Sequence, residues 1–251
     1  MGLARALWQV FLAWGLVLGT TQAAPVAVAV ASNFAAPMKR LAPDFEQRTG
    51  HTLAVSLGAT GQFAAQIRHG APFAVLLAAD AQTPRALEAE GLAVAGSRMT
   101  YARGQLVLWQ REAAGPPLGE ARLRRGNFKC LAVANPKLAP YGAAAMEVLE
   151  SLQLTDKLGP LLVEGINSTQ AYQFVHSGNA ELGFIALSQV WEDGRLREGA
   201  VWRVPENLYR PILQDAVLLR SGQQHPGARA WLQYLQTEPA RAIMRAYGYT
   251  H

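Results

Sequence analysis

A chain of 251 residues, half of them hydrophobic and 16% charged, has material for one large domain or two ordinary ones and is too apolar to stay disordered. Its formal charge of +5 would fall to +4 with a leader carrying Arg5 removed. The basic residues are scattered, and their densest group, Arg122, Arg124 and Arg125, lacks interleaved aromatics and reads as a solvated face, which disfavours a nucleic-acid surface.

The chain opens with a positive segment, Met1 to Arg5, an apolar core from Ala6 to Leu18, and the small-residue stretch Thr21-Gln22-Ala23-Ala24. This pattern predicts a secretory signal peptide over residues 1–23, cut after Ala23. The apolar core is short for a spanning helix and no second stretch of about 18 apolar residues follows, so the mature chain is expected to be soluble, without stable membrane insertion. The single cysteine, Cys130, lies far from the cleavage site, which excludes a lipid anchor there; its run Cys130-Leu131-Ala132-Val133-Ala134 points to an inert core thiol.

Val26 to Ala31 reads as a buried strand of a parallel sheet, and Ser32 and Asn33 fall where it meets a helix in the segment Pro37 to Gly50. Pro43 lies inside that helix and is expected to bend it or mark a tolerated local break. Thr52 to Leu57 is a second strand, running into Gly58-Ala59-Thr60-Gly61 and a helix from Gln62 to His69, with Thr60 at or beside the N-cap. A buried strand from Phe73 to Ala79 ends at Asp80, a short helix covers Thr83 to Glu90, and Gln105 to Trp109 is a strand ahead of a proline-bearing loop and a basic helix near Arg122. Leu131 to Ala134 is a strand that opens into Asn135 to Gly142, placing Tyr141 just ahead of a helix over Ala143 to Leu152. Gly165 to Gln170 leads into a helix from Ala171 to His176, with Ser168 at its start. Strands over Ala180 to Leu187, Val201 to Val204 and Pro211 to Leu219, then helices over Pro226 to Gln236 and Pro239 to Tyr247, complete a β–α alternation typical of one or two mainly parallel sheets.

Four strand-to-helix turns thus carry neutral donors: Ser32 with Asn33, Thr60, Tyr141 and Ser168. One such turn is explained by a helix cap alone; four of them indicate a site for an anion, because helix N-termini present unpaired N–H groups and partial positive charge. No G-x-S-x-G, P-loop or H-E-x-x-H pattern occurs, and His51, His69, His176, His225 and His251 are dispersed and read as surface or capping residues. A binding protein is therefore expected, without enzymatic activity or cofactor; an exported α/β enzyme and a sensor or adhesion module remain the alternatives.

The segments Ala31-Ser32-Asn33-Phe34, GATGQFAAQIRHGAPF (58–73), Ala79-Asp80, ANPKLAPYGAAAMEVLE (134–150), INSTQAYQFVHSGNAELGFIALSQV (166–190), PILQDAVLL (211–219) and Ala246-Tyr247-Gly248-Tyr249 resemble the molybdate-binding periplasmic proteins of ATP-driven importers. The resemblance covers essentially the whole mature chain. It implies a two-lobed α/β solute-binding fold of type II, each lobe a mainly parallel sheet flanked by helices, with two crossing hinge strands and the anion between the lobes. Lobe 1 would comprise residues 24–104 plus 211–251, and lobe 2 residues 105–210. Partners implied are molybdate, tungstate as a near isostere, and a membrane permease of an ABC transporter; a periplasmic monomer is the family expectation.

Carried over by position, the resemblance implies Asn33 with Ser32 beside it and Thr60 as first-lobe ligands, Tyr141 as the ligand tyrosine, and Ser168 through its backbone N–H. Molybdenum would be held only as its oxyanion. Other relatives place the tyrosine where this chain has Ala186, so only Tyr141 can play that part. Relatives commonly carry Asp where Ala74 stands and Glu where Ile166 stands, departures that bear on packing or transporter docking. The proposed ligands include no carboxylate, which suits a fully deprotonated tetrahedral dianion and disfavours protonated phosphate; sulfate, phosphate or a small carboxylate on the same scaffold remain alternatives.

Overall fold

The computed structural model describes residues 24–114 and 116–251; the predicted signal peptide lies outside the described residues. In chain order the first elements are β1 (Val26–Ala31), a 3-10 turn over Ser32–Phe34, α1 (Ala35–Thr49), β2 (Leu53–Gly58), α2 (Thr60–Arg68), β3 (Val75–Leu77), α3 (Gln82–Ala89) and β4 (Met99–Gly104). Next come β5 (Leu106–Gln110), α4 (Glu120–Arg125), β6 (Leu131–Ala134), α5 (Pro140–Ser151), α6 (Thr155–Leu158), β7 (Leu162–Gly165), α7 (Ser168–His176) and β8 (Leu182–Ala186). The last are β9 (Trp191–Glu192), β10 (Arg195–Leu196), β11 (Ala200–Arg203), β12 (Ile212–Leu218), α8 (Pro226–Leu235) and α9 (Glu238–Ala246).

Two five-stranded sheets result, ordered β2-β1-β3-β12-β4 and β7-β6-β8-β5-β11. In each sheet four strands run one way and one opposes them: β12 is antiparallel to β3 and β4, and β5 to β8 and β11. The sheets are mixed for a topological reason. β5 and β12 are the strands the chain enters directly after crossing from the other sheet, with no crossover helix to bring them in parallel. The crossings are Gln105 and residues 204–211.

The central strands show why the faces are covered twice. In β1, Val26, Val28 and Val30 pack with Phe45 of α1 and Trp231 of α8, while Ala29 faces Phe63, Ile67 and Leu87 from α2 and α3. In β6, Leu131 and Val133 pack with Val148 and Leu149 of α5, while Ala132 lies with Val175 of α7. Large residues on one face and alanine on the other let one helix layer sit close, and both layers exclude water from the strand.

One place where the two bodies touch is a hairpin. The β9–β10 hairpin turns at Asp193 and Gly194, both with positive φ as a two-residue turn requires. Asp193 Oδ1 accepts from Arg40 at 2.9 Å, and Glu192 accepts from the Tyr247 hydroxyl at 2.8 Å.

Several sequence-based expectations need correction. Helix α5 begins at Pro140, so Tyr141 lies within its first turn, because proline suits the first helical position. Arg122 is buried, its guanidinium over the Phe128 ring and bonded to Asn127, so it does not belong to a solvated face. Cys130 precedes β6 and is only partly buried. Strands β4 and β7 and the hairpin were not anticipated. Pro43 does lie within α1.

Candidate functional site

The four turns singled out in the sequence lie at equivalent ends of the two sheets. Ser32 and Asn33 follow β1 and Thr60 opens α2 after β2; Tyr141 sits in α5 after β6 and Ser168 opens α7 after β7. All five residues are between 1% and 5% exposed. Bonds between the sheets bring the turns together: Gly61 N–H donates to Leu138 O at 2.9 Å, and Thr169 N–H donates to Ser32 Oγ at 3.4 Å. A third link runs from Asn33 through Gln214 to Tyr141.

Helix starts leave first-turn N–H groups without intrahelical acceptors. Some find partners here: Gln170 N–H is capped by Asn167 Oδ1 at 3.0 Å, and Ala59 N–H donates to Gln62 Oε1 at 3.3 Å. Thr60 Oγ1 accepts from Ala79 N–H at 3.0 Å, which fixes the hydroxyl oxygen and leaves its hydrogen for another acceptor. The Ser168 carbonyl accepts from Gln189 Nε2 at 3.0 Å.

Asn33 is heavily tied. Its Nδ2 donates to Gln214 Oε1 at 2.8 Å and to the Tyr249 hydroxyl at 3.0 Å, so both amide hydrogens have protein acceptors. Its carbonyl accepts from Ser188 Oγ at 2.8 Å and lies 3.0 Å from the Tyr249 hydroxyl. The side chain is therefore a strut, and the main-chain N–H is the group Asn33 has to offer. Tyr141 has its hydroxyl 3.4 Å from Gln214 Nε2. A Cβ built on Gly104 would lie 1.9 Å from that phenol oxygen, so glycine is what admits the ring. Burial pushes the Tyr141 phenol well above its ordinary range, as it does Tyr101, and Tyr249 is also raised by burial. Tyr141 is thus a protonated donor at neutral pH.

Carboxylates are held away or neutralised. Asp80 caps α3 through Thr83 N–H at 2.6 Å and the Thr83 hydroxyl at 3.1 Å; burial nonetheless raises its carboxyl above the usual range. Asp215, fully buried, is paired with Arg98 at 2.5 Å and accepts from Thr100 Oγ1 at 2.7 Å. Register shifts between Gln214 and Asp215, and such a bulge re-aims side chains. Among the described residues no cluster of three or more His, Cys, Asp or Glu is placed to hold a metal ion. A crevice of about 390 Å³ beside the site is lined by Gly61, Asp80, Leu138, Pro140 and Ile212, but by none of the five predicted ligands.

Sequence reasoning did not single out Gln214, Tyr249, Tyr101 or Ser188. A signal existed for the first: Gln214-Asp215 is a polar pair inside the apolar strand Ile212–Leu218, and buried polar residues need partners.

Residues 26–250 match the family described as bacterial extracellular solute-binding protein. The chain is 54% identical over 235 residues to the molybdate-binding protein ModA of Azotobacter vinelandii, covering 94% of this chain and 93% of that one. It is 46% identical over 239 residues to ModA of Rhodobacter capsulatus, covering 95% and 92%. The solved Azotobacter vinelandii periplasmic molybdate-binding protein superposes with a TM-score of 0.87 at 37% identity, covering 90% of this chain and 99% of that one. No helix among the described residues is long and apolar enough to cross a membrane. With two helix-flanked mixed sheets, two crossings and these matches along its length, the chain belongs to the bacterial extracellular solute-binding protein family.

Proposed function

We propose that this protein binds molybdate between its two lobes and delivers it to the membrane permease of an ABC importer. The observation that carries this reading is the donor-only character of the convergent turns. Ser32 Oγ and Thr60 Oγ1 each accept an N–H bond and so have a hydrogen to give, the Tyr141 phenol stays protonated, and α2 and α7 open at the Thr60 and Ser168 turns. A dianion shedding its water would find hydrogen bonds worth roughly 1.5–3 kcal/mol each, offset by desolvation and ordering costs. Diffuse positive potential from the helix starts supplies the rest. The two ModA relatives support molybdate as the dianion.

The ligand set comprises Ser32, Asn33 through its main-chain N–H, Thr60, Tyr141, and Ser168 through its main-chain N–H. Tungstate should bind as well. Lobe 1 comprises residues 24–104 plus 211–251 and lobe 2 residues 105–210, a division supported by the two crossings. An anion contacting both lobes favours their closed arrangement by differential contact. The protein acts as a monomer, without cofactor or catalytic step, in the periplasm after export by its leader.

Titration calorimetry of the mature protein against molybdate, tungstate, sulfate and inorganic phosphate tests the proposal. Tight binding of the first two with weak or no binding of the others is expected. A preference for sulfate, or binding of none of the four, overturns it.

A further inference from the structure

We infer that Gln214 is the positioning residue that sets the hydrogen-bond polarity of the anion site, turning the Tyr141 hydroxyl from a possible acceptor into an obligate donor. The inference rests on the molybdate-binding reading above and adds a specificity determinant to it.

The main-chain carbonyl of Asn33 can only accept, so its role cannot be reversed. That oxygen, Ser188 Oγ and the Tyr249 hydroxyl form a triangle with sides of 2.8, 2.9 and 3.0 Å. Three oxygens this close need hydrogens between them, and only Ser188 and Tyr249 have one each to give. Both hydrogens therefore lie inside the triangle. Tyr249 must then accept from Asn33, which turns the Asn33 amide nitrogen toward it at 3.0 Å. The same nitrogen faces Gln214 at 2.8 Å, so Gln214 presents its oxygen there and its Nε2 to Tyr141 at 3.4 Å. Tyr101 would tolerate either orientation of Gln214, since its hydroxyl lies 3.1 Å from both Ala78 O and Gln214 Oε1. The oxygen triangle decides.

The consequence for the anion is direct. With an N–H of Gln214 directed at its oxygen, Tyr141 has its own hydrogen to give away. Tyr249 is the neighbouring protein acceptor that could compete for it. In the opposite orientation Gln214 Oε1 would take the Tyr141 hydrogen, and the phenol would show a lone pair to the anion. Such a site would welcome a hydroxyl-bearing oxyanion, such as monohydrogen phosphate, over a fully deprotonated one. Ser188 follows β8 of the second sheet, while Asn33, Gln214 and Tyr249 belong with the first, so the polarity is fixed only where the two bodies meet.

The test is a double-mutant cycle of Gln214→Leu and Tyr141→Phe, read by molybdate titration, together with Gln214→Glu read by competition. Wild-type binding is measured first; if the unsubstituted protein binds no molybdate, the functional reading itself fails. Given wild-type binding, Gln214→Leu should weaken molybdate by about three- to tenfold and have a clearly smaller effect in the Tyr141→Phe background, where only its bond to Asn33 is lost. Additive effects, or tighter binding by Gln214→Leu, overturn the inference. Gln214→Glu draws the Tyr141 hydrogen to its carboxylate, so at about pH 8 the ratio of molybdate to phosphate affinity should fall at least about tenfold. Charge repulsion alone weakens both dianions alike, and an unchanged ratio overturns the inference even if Gln214→Leu fails to fold.

Discussion

The two halves of the site are topological equivalents and yet differ in how they are held. Thr60 opens the helix after edge strand β2, as Ser168 does after edge strand β7; Asn33 follows β1 as Tyr141 follows β6. In the first half, the Thr60 hydroxyl and the Asn33 amide find their partners within the first body, Ala79 N–H for the one and Gln214 and Tyr249 for the other, and Ser188 of the second body reaches the Asn33 carbonyl and the Tyr249 hydroxyl. In the second, Tyr141 is oriented by Gln214 of the other sheet, and the turn at Thr169 bonds Ser32 across the gap. The first half is largely preorganised, its amide polarity being set where Ser188 of the second sheet meets it, and the second is completed by contact. An anion should therefore be captured by the first half and retained by the second, which separates association from dissociation.

The largest expected effect comes from attacking the preorganised half. Asn33→Asp turns an amide that donates to two oxygens into a charged acceptor facing them, and sets a negative charge beside the anion. Molybdate affinity should drop by at least about a hundredfold, with a fall in thermal stability. A variant that binds tightly in calorimetry would place the pocket elsewhere. Gly104→Ala comes next, because the new methyl group would occupy the place of the Tyr141 phenol oxygen. It should cost binding at least as much as removal of the hydroxyl itself; near wild-type affinity would mean that Tyr141 has another place to go.

Tyr141→Phe deletes a single charge-assisted bond and should weaken binding about tenfold. If the comparison of the halves is right, stopped-flow measurements will put that loss in the dissociation rate. A slower association rate with unchanged dissociation contradicts it. The smallest effect is expected from Arg40→Ala. Its ion pair with Asp193 bridges the two bodies but lies in solvent, with side chains 44% and 60% exposed. Such pairs contribute about 0.2–1 kcal/mol, so affinity should stay within about fivefold of wild type. A larger loss that disappears at high salt would show that the hairpin latches the closed arrangement.

Much of this architecture was legible in the residues because local chemistry wrote it. Val26 to Ala31 is apolar on both faces because helices cover both, and the chain signals the strand ends at the four turns with Gly58, Gly165 or a small polar residue, Ser32 or Asn135. Short or half-exposed strands such as Leu162–Gly165 lack the periodicity that would reveal them. Arg122 misled because charge alone says nothing of a nearby Phe128 ring and Asn127 side-chain oxygen that can receive a guanidinium. The direction of β5 and β12 was equally hidden, since hydrophobic pattern fixes a strand but not the way it enters a sheet. Hardest to see was the company of Asn33. Its position at a strand end was plain, but Gln214 and Tyr249 lie 181 and 216 residues away, and no local pattern pairs them.

That separation has a kinetic meaning. Contacts between residues so distant along a chain carry the loop-closure cost before they return any stabilisation, and they tend to form after local structure. The strut that shapes the site should therefore lock late in folding, behind the assembly of both sheets. A ligand that recognises this strut acts on the native state and not on the folding transition state; it should slow unfolding while leaving the refolding rate nearly unchanged. Oxyanion binding would then serve as a clock for the last step of maturation, reporting on molecules that have finished folding and ignoring those that have merely collapsed.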